Sequence, residues 1–251
     1  MIQWGEGVWE LFERGSWISP PNSSLWEGVV PTQWKKAIDT NAVKCANLPI
    51  SASTRHDPTL APVTANGQAI PQVTSLKLLG VTIQNNLKWD THVDNMISKA
   101  NGRKYFILVL KRLGVELRDL TKCYCTFIRP LVEYAVPVWH SGLTVHQSDQ
   151  LERVQKQTLH ILLPDASYRE ALLLTCLQTL EQRRIQLCRN FATGLLGSEF
   201  SCWLPPRRRE CHQRNLRSNN KLSTLPCRTK RFANSPIAFL ARLVNEDMSQ
   251  C

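Results

Sequence analysis

Three N-capping boxes, each placed directly before an apolar run, restrict the fold of this chain more than any other feature of its sequence. A capping box is a Ser or Thr followed three residues later by Glu or Gln, and the two side chains satisfy free backbone donors at the start of a helix. The boxes occupy residues 144–147 (TVHQ), 167–170 (SYRE) and 179–182 (TLEQ). The sequence therefore predicts three consecutive helices that begin at these positions.

A short strand and a long helix are predicted upstream of the boxes. The run SLKLLGVTI has the pattern of a short buried strand, and the turn-forming pair Asn85-Asn86 closes it. Asp90 or Thr91 is placed to cap the helix that follows, which continues to Gly114. Glycine favours the end of a helix because it adopts the left-handed conformation without strain.

The segment 117–139 carries another helical pattern, interrupted by a proline. Pro130 has no backbone donor, so we expect it to kink or restart the helix. Trp89 and Trp139 are predicted to anchor the strand and loops to the helices. Helical spacing predicts the following residues on the apolar face of this segment: Leu120, Cys123, Tyr124, Phe127, Leu131 and Tyr134.

These signals predict a mainly α fold, a helical bundle with a short strand at its entrance, over residues 76–200. Residues 1–75 are predicted to be irregular, because Pro, Ser and Thr crowd positions 49–74. Residues 201–251 lose the helical periodicity and predict a basic, mobile tail. A short terminal helix, PIAFLARLV, is expected to dock back onto the bundle.

Composition narrows the class of protein. A chain of 251 residues is long enough to bury a core, and it has no apolar run of transmembrane length. The N-terminus lacks the basic and apolar regions of a signal peptide. Nine cysteines without a CxxC motif are typical of reduced thiols. We therefore expect an intracellular protein, nuclear or cytoplasmic, with no membrane partner and no evident small-molecule substrate.

The net charge of +11 is concentrated toward the C-terminus. Residues 1–75 hold 5 basic and 6 acidic residues, whereas residues 161–251 hold 14 basic and 7 acidic ones. A polyanion is the natural partner of such a distribution, and RNA or DNA bound through its phosphates fits it. The alternative is a solvated basic surface without a partner.

The candidate nucleic-acid-binding residues form a stripe that crosses the tail. Pro205-Pro206 is expected to hold the first three arginines in an extended conformation, away from the bundle. Two arginines on the helix after the third capping box are expected to extend this basic surface. The full set comprises Arg183, Arg184, Arg207, Arg208, Arg209, Arg214, Arg217, Lys221, Arg228, Lys230 and Arg231.

Several long stretches resemble a known family. KLLGVTIQNNLKWDTHVDNMISKANGRKYFILVLKRLG, CYCTFIRPLVEYAVPVWHSGLT, QLERVQKQTLHIL and YREALLLTCLQTLEQRRIQLCRNF are similar, in order and spacing, to the thumb and post-thumb region of non-LTR (LINE-type) retrotransposon reverse transcriptases. Upstream, SSLWEGVVPTQWKKA resembles the block that precedes the fingers, and NAVKCANLPIS resembles a late palm strand. The resemblance implies a thumb-like bundle that grips a template-primer duplex.

The departure from the family is as informative as the match. In the family, a fingers-palm core separates the WKKA block from the KC strand. Here the WKKA block ends at Ala37, and the segment 39–45, which ends in KC, follows almost at once. Polymerisation requires a carboxylate cluster that holds two metal ions, and this chain has no Asp-Asp pair. We therefore expect no catalytic residues and no polymerase activity, as in a retroelement remnant or a misjoined gene model.

Metal sites are the next alternative. His92 and Asp94 form an HxD pair that, with a distant His, has the composition of a non-haem iron site. The segment LGVTIQNNLKWDTHV is also similar to one that carries the label of an AlkB-homologue oxygenase family. The position of His92 and Asp94 in the first turn of a predicted helix favours a different interpretation, in which the His lies on the surface and the acid stabilises the helix dipole. A possible zinc set, Cys202, Cys211, His212 and Cys227, matches no zinc-knuckle spacing, so no metal or cofactor is predicted.

The last alternative is a helical interaction protein with no nucleic-acid role. It is distinguished from the first interpretation by the salt dependence of RNA or DNA binding. In either case the helix QLERVQKQTLHIL should bury Leu151, Val154 and Leu159. We expect truncation of Leu151 to cost about 2–5 kcal/mol, and truncation of Glu152 to cost within about 0.5 kcal/mol.

Overall fold

The computed structural model describes residues 45–50, 63–65, 67–211 and 220–250. Most of the stretch 1–75 that is predicted to be irregular, including Trp4, Trp9, Trp17 and Trp26, therefore lies outside the described residues. The strands are β1 (Thr64–Ala65), β2 (Gln68–Ala69), β3 (Ser75–Leu78) and β4 (Val81–Gln84). The α-helices are α1 (Asp90–Arg112), α2 (Leu117–Cys123), α3 (Arg129–Glu133), α4 (Val136–Trp139), α5 (Val145–Leu162), α6 (Tyr168–Thr175), α7 (Leu180–Leu196), α8 (Arg208–Cys211), α9 (Lys230–Ala233) and α10 (Pro236–Gln250). The predicted mainly α class is confirmed.

The single strand predicted at the entrance of the bundle is an antiparallel hairpin of β3 and β4. Its two turn residues, Leu79 and Gly80, have φ values of 46° and 86°, the left-handed pair that a tight hairpin turn requires. The Tyr134 hydroxyl donates a hydrogen bond to the Leu79 carbonyl at 2.7 Å. Val81 and Thr82 are buried, so only the second half of the predicted strand reaches the core.

Helix α1 begins without the predicted side-chain cap. Trp89 is the N-cap residue and makes no capping hydrogen bond, whereas Asp90 accepts a hydrogen bond from the Gln147 side-chain amide at 2.6 Å. The prediction for the C-terminus is confirmed, because Gly114 has φ 81° and its N–H donates to the Lys111 carbonyl at 3.0 Å. The Val115 N–H donates to the carbonyl of Leu110, which completes a Schellman motif.

All three predicted capping boxes are present. In the first, the Gln147 N–H donates to Thr144 Oγ1 at 3.2 Å, and the Thr144 N–H donates to Gln147 Oε1 at 2.9 Å. The same reciprocal bonds start α6 and α7. These helices begin where the sequence predicts because both partners of each box lie within one turn.

The proline-containing segment restarts as expected but buries only part of the predicted face. A single π-helical turn, Tyr124–Ile128, joins α2 to α3, and Pro130 lies in the first turn of α3. Phe127 and Tyr134 are about half exposed, at 49% and 54%. The buried residues recur every four positions: Leu120, Tyr124, Ile128, Val132 and Val136. The wider π turn keeps these residues on one side, so the ordinary helical period gave part of the face wrongly.

The core lies among α1, the π-turn segment, α5, α7 and α10. Trp139 is fully buried, and its Nε1 donates to the Tyr134 carbonyl at 2.8 Å. A Cβ on Gly142 would lie 2.5 Å from Trp89 Nε1, so both tryptophans anchor the loops as predicted. Helix α10 packs against α7, which confirms the predicted docking of the terminal helix.

Candidate nucleic-acid interface

An isolated antiparallel bridge joins Arg207 to Leu222 within the predicted tail. The Arg208 N–H donates to the Lys221 carbonyl at 2.9 Å. Leu222 is buried, and the Asn245 side chain on α10 both accepts from its N–H, at 2.8 Å, and donates to its carbonyl, at 3.1 Å. The two basic segments that flank 212–219 are therefore held side by side on α10.

The sequence predicts that the first three arginines of the tail are extended and away from the bundle, but only Arg207, in the bridge, is extended, whereas Arg208 and Arg209 are helical. Leu204 and Pro205 are buried against the bundle, and residues 208–211 form a single helical turn. Arg209 is exposed and lies 3.9 Å from Glu210. The Glu210 carboxylate also accepts from the Arg207 N–H at 3.3 Å. The prolines thus end the preceding segment, and the glutamate three residues into the new turn favours a helix over an extended stripe.

Of the remaining basic residues of the tail, Lys221 contacts α10 and Arg231 contacts the turn after β4. Lys221 donates to Ser249 Oγ at 2.5 Å. Arg228 and Lys230 are exposed and make no ion pair within the part of the chain that the structure describes. Arg231 donates to the carbonyl of Asn86 in the turn after β4. The other two candidates, Arg214 and Arg217, lie outside the described residues.

Arg184 does not belong to any surface, which corrects its assignment as a nucleic-acid contact. It is fully buried; its Nη2 donates to Ser148 Oγ at 2.6 Å and its Nε to His140 Nδ1 at 3.4 Å. Burial lowers the pKa of Arg184, and burial together with this guanidinium lowers the pKa of His140 to about 4. Arg184 is a core residue that joins α7 to α5 and the end of α4.

Arg183, its neighbour, is partly exposed and lies in a small basic pocket. Its Nε donates to Glu133 Oε1 at 3.2 Å, and Arg129 Nε lies 3.4 Å from the same oxygen. Arg129 is not among the residues predicted from the sequence, although its spacing of four residues from Glu133 is the signal of a helical ion pair. Only the tertiary structure brings Arg183, fifty residues further along the chain, to the same carboxylate.

His92 is a core residue rather than the predicted surface His. It is 3% exposed, its ring lies between those of Trp89 and Trp139, with centroids 6.0 and 5.8 Å away, and its Nδ1 accepts from the Thr82 N–H at 3.3 Å. Burial, with a contribution from Lys99, lowers its pKa. The hairpin β3–β4 therefore packs on the first turn of α1 through this imidazole.

The side chains that could bind a metal ion are dispersed in the described part of the chain. No group of three His, Cys, Asp or Glu residues there could hold a metal ion. Asp94, the partner of His92 in the HxD pair, is exposed, as are Cys202 and Cys227. The Cys211 side chain and His212 lie outside the described residues.

Comparisons of this chain with models of protein families, with curated proteins and with solved structures found no match. Within the described residues, no helix is long and apolar enough to cross a membrane.

Proposed function

We propose that this chain is a thumb-region fragment of a non-LTR reverse transcriptase that lacks polymerase activity and binds RNA or DNA weakly through phosphates. The proposal is supported first by the ordered series of sequence stretches that resemble the family and by the helical bundle that they form. It is supported second by the absence of an Asp-Asp pair from the sequence, because two-metal catalysis requires clustered carboxylates.

The observation that carries the binding proposal is the attachment of basic segments to helix α10. The bridge between Arg207 and Leu222, clamped by Asn245, holds the ends of both segments on α10. An exposed cation beside this anchor, such as Arg209, loses less conformational entropy on binding than a cation on a free chain. Such a surface contacts phosphates without reading base sequence.

Salt-dependent binding tests this proposal. The purified chain should bind RNA and DNA in the range of roughly 10⁻⁴ to 10⁻⁶ M at physiological salt, with little sequence preference. Replacement of Arg207, Arg208 and Arg209 by Ala should weaken binding to all sequences and flatten the salt slope by about one unit for each phosphate that is no longer neutralised. The same positions changed to Lys should retain binding, because a phosphate backbone requires charge rather than a guanidinium fork.

A matched control removes the same charge elsewhere. Lys99, Arg112 and Arg118 are exposed on or next to α1, and their replacement by Ala lowers the net charge equally. Equal decreases in affinity from both triple variants would show that only total charge matters and would contradict a localised interface. Primer extension should be absent with every template, metal and nucleotide, and detectable extension would contradict the fragment proposal.

One observation favours the second candidate, a helical interaction protein. Leu173 and Leu174 on α6 are 73% and 63% exposed, and they line a groove of about 480 Å³ with Leu163 and Pro164. Exposed apolar patches mark interaction surfaces. Nucleic-acid binding that ignores both salt and the arginine triplet would favour this candidate over the first.

A further inference from the structure

Two arginines and one glutamate form a positively charged cluster beside a small cavity. Arg129 on α3 and Arg183 on α7 both approach Oε1 of Glu133, at 3.4 and 3.2 Å. The Glu133 side chain is only 12% exposed, whereas those of the arginines are 24% and 35% exposed. The carboxylate therefore neutralises one guanidinium and leaves a net charge of about +1 at the cavity.

Most of the donors in this cluster have no acceptor. Within the described residues, neither Arg129 nor Arg183 makes a hydrogen bond or ion pair other than with Glu133. The approach of Arg129 Nε to the carboxylate does not have hydrogen-bond geometry, so this buried N–H is unpaired. A guanidinium N–H without a protein hydrogen-bond partner is available to an anionic ligand or to ordered water.

The cavity has the size of a site for one anionic group. Its volume is about 220 Å³, below the roughly 300–1,000 Å³ of most small-molecule pockets. Gln155 forms a fixed wall, because its amide donates to the Tyr168 hydroxyl at 3.0 Å and to the Gln178 carbonyl at 2.8 Å. The lining residues are Arg129, Gln155, Cys176, Leu177, Gln178 and Arg183.

We propose that this cavity, the Arg129–Arg183 pocket, is a binding site for a single phosphate group. Two guanidinium groups that share one internal carboxylate present forked donors to a tetrahedral anion, which is the geometry that arginine provides best. The inference deepens the proposed nucleic-acid function and rests on it for the source of the phosphate. The charge and the volume of the pocket do not depend on that function.

Protection of a thiol at the pocket measures binding directly. Cys176 lines the pocket and is exposed, so alkylation of its thiol reports whether the pocket is occupied. Inorganic phosphate should slow alkylation of Cys176 with a roughly millimolar Kd, as measured by peptide mass spectrometry. Cys202 and Cys227 are also exposed and are internal controls that phosphate should not protect. No protection of Cys176, or equal protection of all three, overturns the proposal.

Three substitutions separate an anion site from a structural ion pair. Arg183→Gln should weaken phosphate binding by about tenfold or more, whereas Arg189→Gln on the same helix should leave it unchanged, because Arg189 pairs instead with Asp247 at 2.8 Å. Glu133→Gln should tighten phosphate binding several-fold, since it removes the competing charge. Weaker binding by all three variants would overturn the proposal, and a variant that fails to fold is identified by its unfolding curve.

The source of the phosphate is tested with one oligonucleotide, with and without a 5′-phosphate. Protection of Cys176 by the 5′-phosphorylated strand alone identifies a terminal phosphate, and protection by both identifies the backbone. Protection by inorganic phosphate but by neither strand assigns the pocket to a free phosphate compound. A further outcome is that the strands bind with a steep salt slope but neither the strands nor phosphate protect Cys176. This outcome would overturn the proposed phosphate site and leave the proposed function intact.

Discussion

Glu152 is expected to stabilise the protein far more than a glutamate in a helix normally does. The sequence placed it on the polar side of α5, where truncation is nearly neutral. In the structure its Oε1 accepts from the Leu180 N–H and its Oε2 from the Glu181 N–H, each at 3.2 Å. The Tyr168 hydroxyl donates to the same carboxylate. The first two donors of α7 have no partner within their own helix, so Glu152 supplies a cap from 28 residues away.

The magnitude follows from what Glu152→Ala leaves unpaired. Leu180 is buried, so its N–H is stranded when the carboxylate is removed, whereas Glu181 is exposed and its N–H regains water. Loss of a helix cap costs about 0.5–2 kcal/mol, and a hydrogen bond to a charged group contributes about 1.5–3 kcal/mol. These effects overlap, and we expect the free energy of unfolding to fall by about 2–3 kcal/mol, against about 0.5 kcal/mol from the sequence alone.

Urea unfolding followed by circular dichroism measures this change. Glu152→Gln should have an intermediate effect, because an amide has only one acceptor oxygen for the two backbone donors. The matched control is Glu181→Ala, an exposed carboxylate in the first turn of the same helix, which should change stability by less than about 1 kcal/mol. Amide exchange at Leu180 should accelerate in Glu152→Ala. A variant as stable as the wild type would refute the tertiary cap.

Three further predictions concern the core and the turns. Folding lowers the pKa of His140 from its usual 6.5 to about 4, so the folded state favours the neutral imidazole. The free energy of unfolding should therefore decrease as the pH falls from 6.5 toward 4. The substitution His140→Gln should reduce this decrease, whereas His146→Gln should not. Leu151→Ala should lower the free energy of unfolding by about 2–5 kcal/mol, because the side chain is fully buried, and a change under about 1 kcal/mol would show that α5 is not packed. Gly80→Ala should lower the free energy of unfolding by about 1–3 kcal/mol, and by more than Gly114→Ala does. Both glycines have positive φ, but only at Gly80 would a Cβ lie against a ring, that of Tyr134, at 3.0 Å. Equal losses of stability would exclude the ring contact.

The features of the fold that follow from the sequence are those whose interacting residues lie close together along the chain. The boxes that begin at Thr144, Ser167 and Thr179, and the C-terminal cap at Gly114, are present as predicted. Each depends on hydrogen bonds among residues within about one helical turn, so the sequence pattern contains all the interacting groups. The apolar face of α5, including Leu151, follows from the helical period in the same way.

The positions of the charged and polar side chains follow from tertiary packing and not from the sequence pattern. Arg183 and Arg184 are adjacent in sequence, yet one lies at a cavity and the other in the core. Glu152 caps a helix that begins 28 residues later, and His92 is enclosed by two indole rings. A helical period predicts which way a side chain points but not which element lies opposite. A buried cation or carboxylate is tolerated only when that distant element supplies hydrogen-bond partners, so its location is settled by packing.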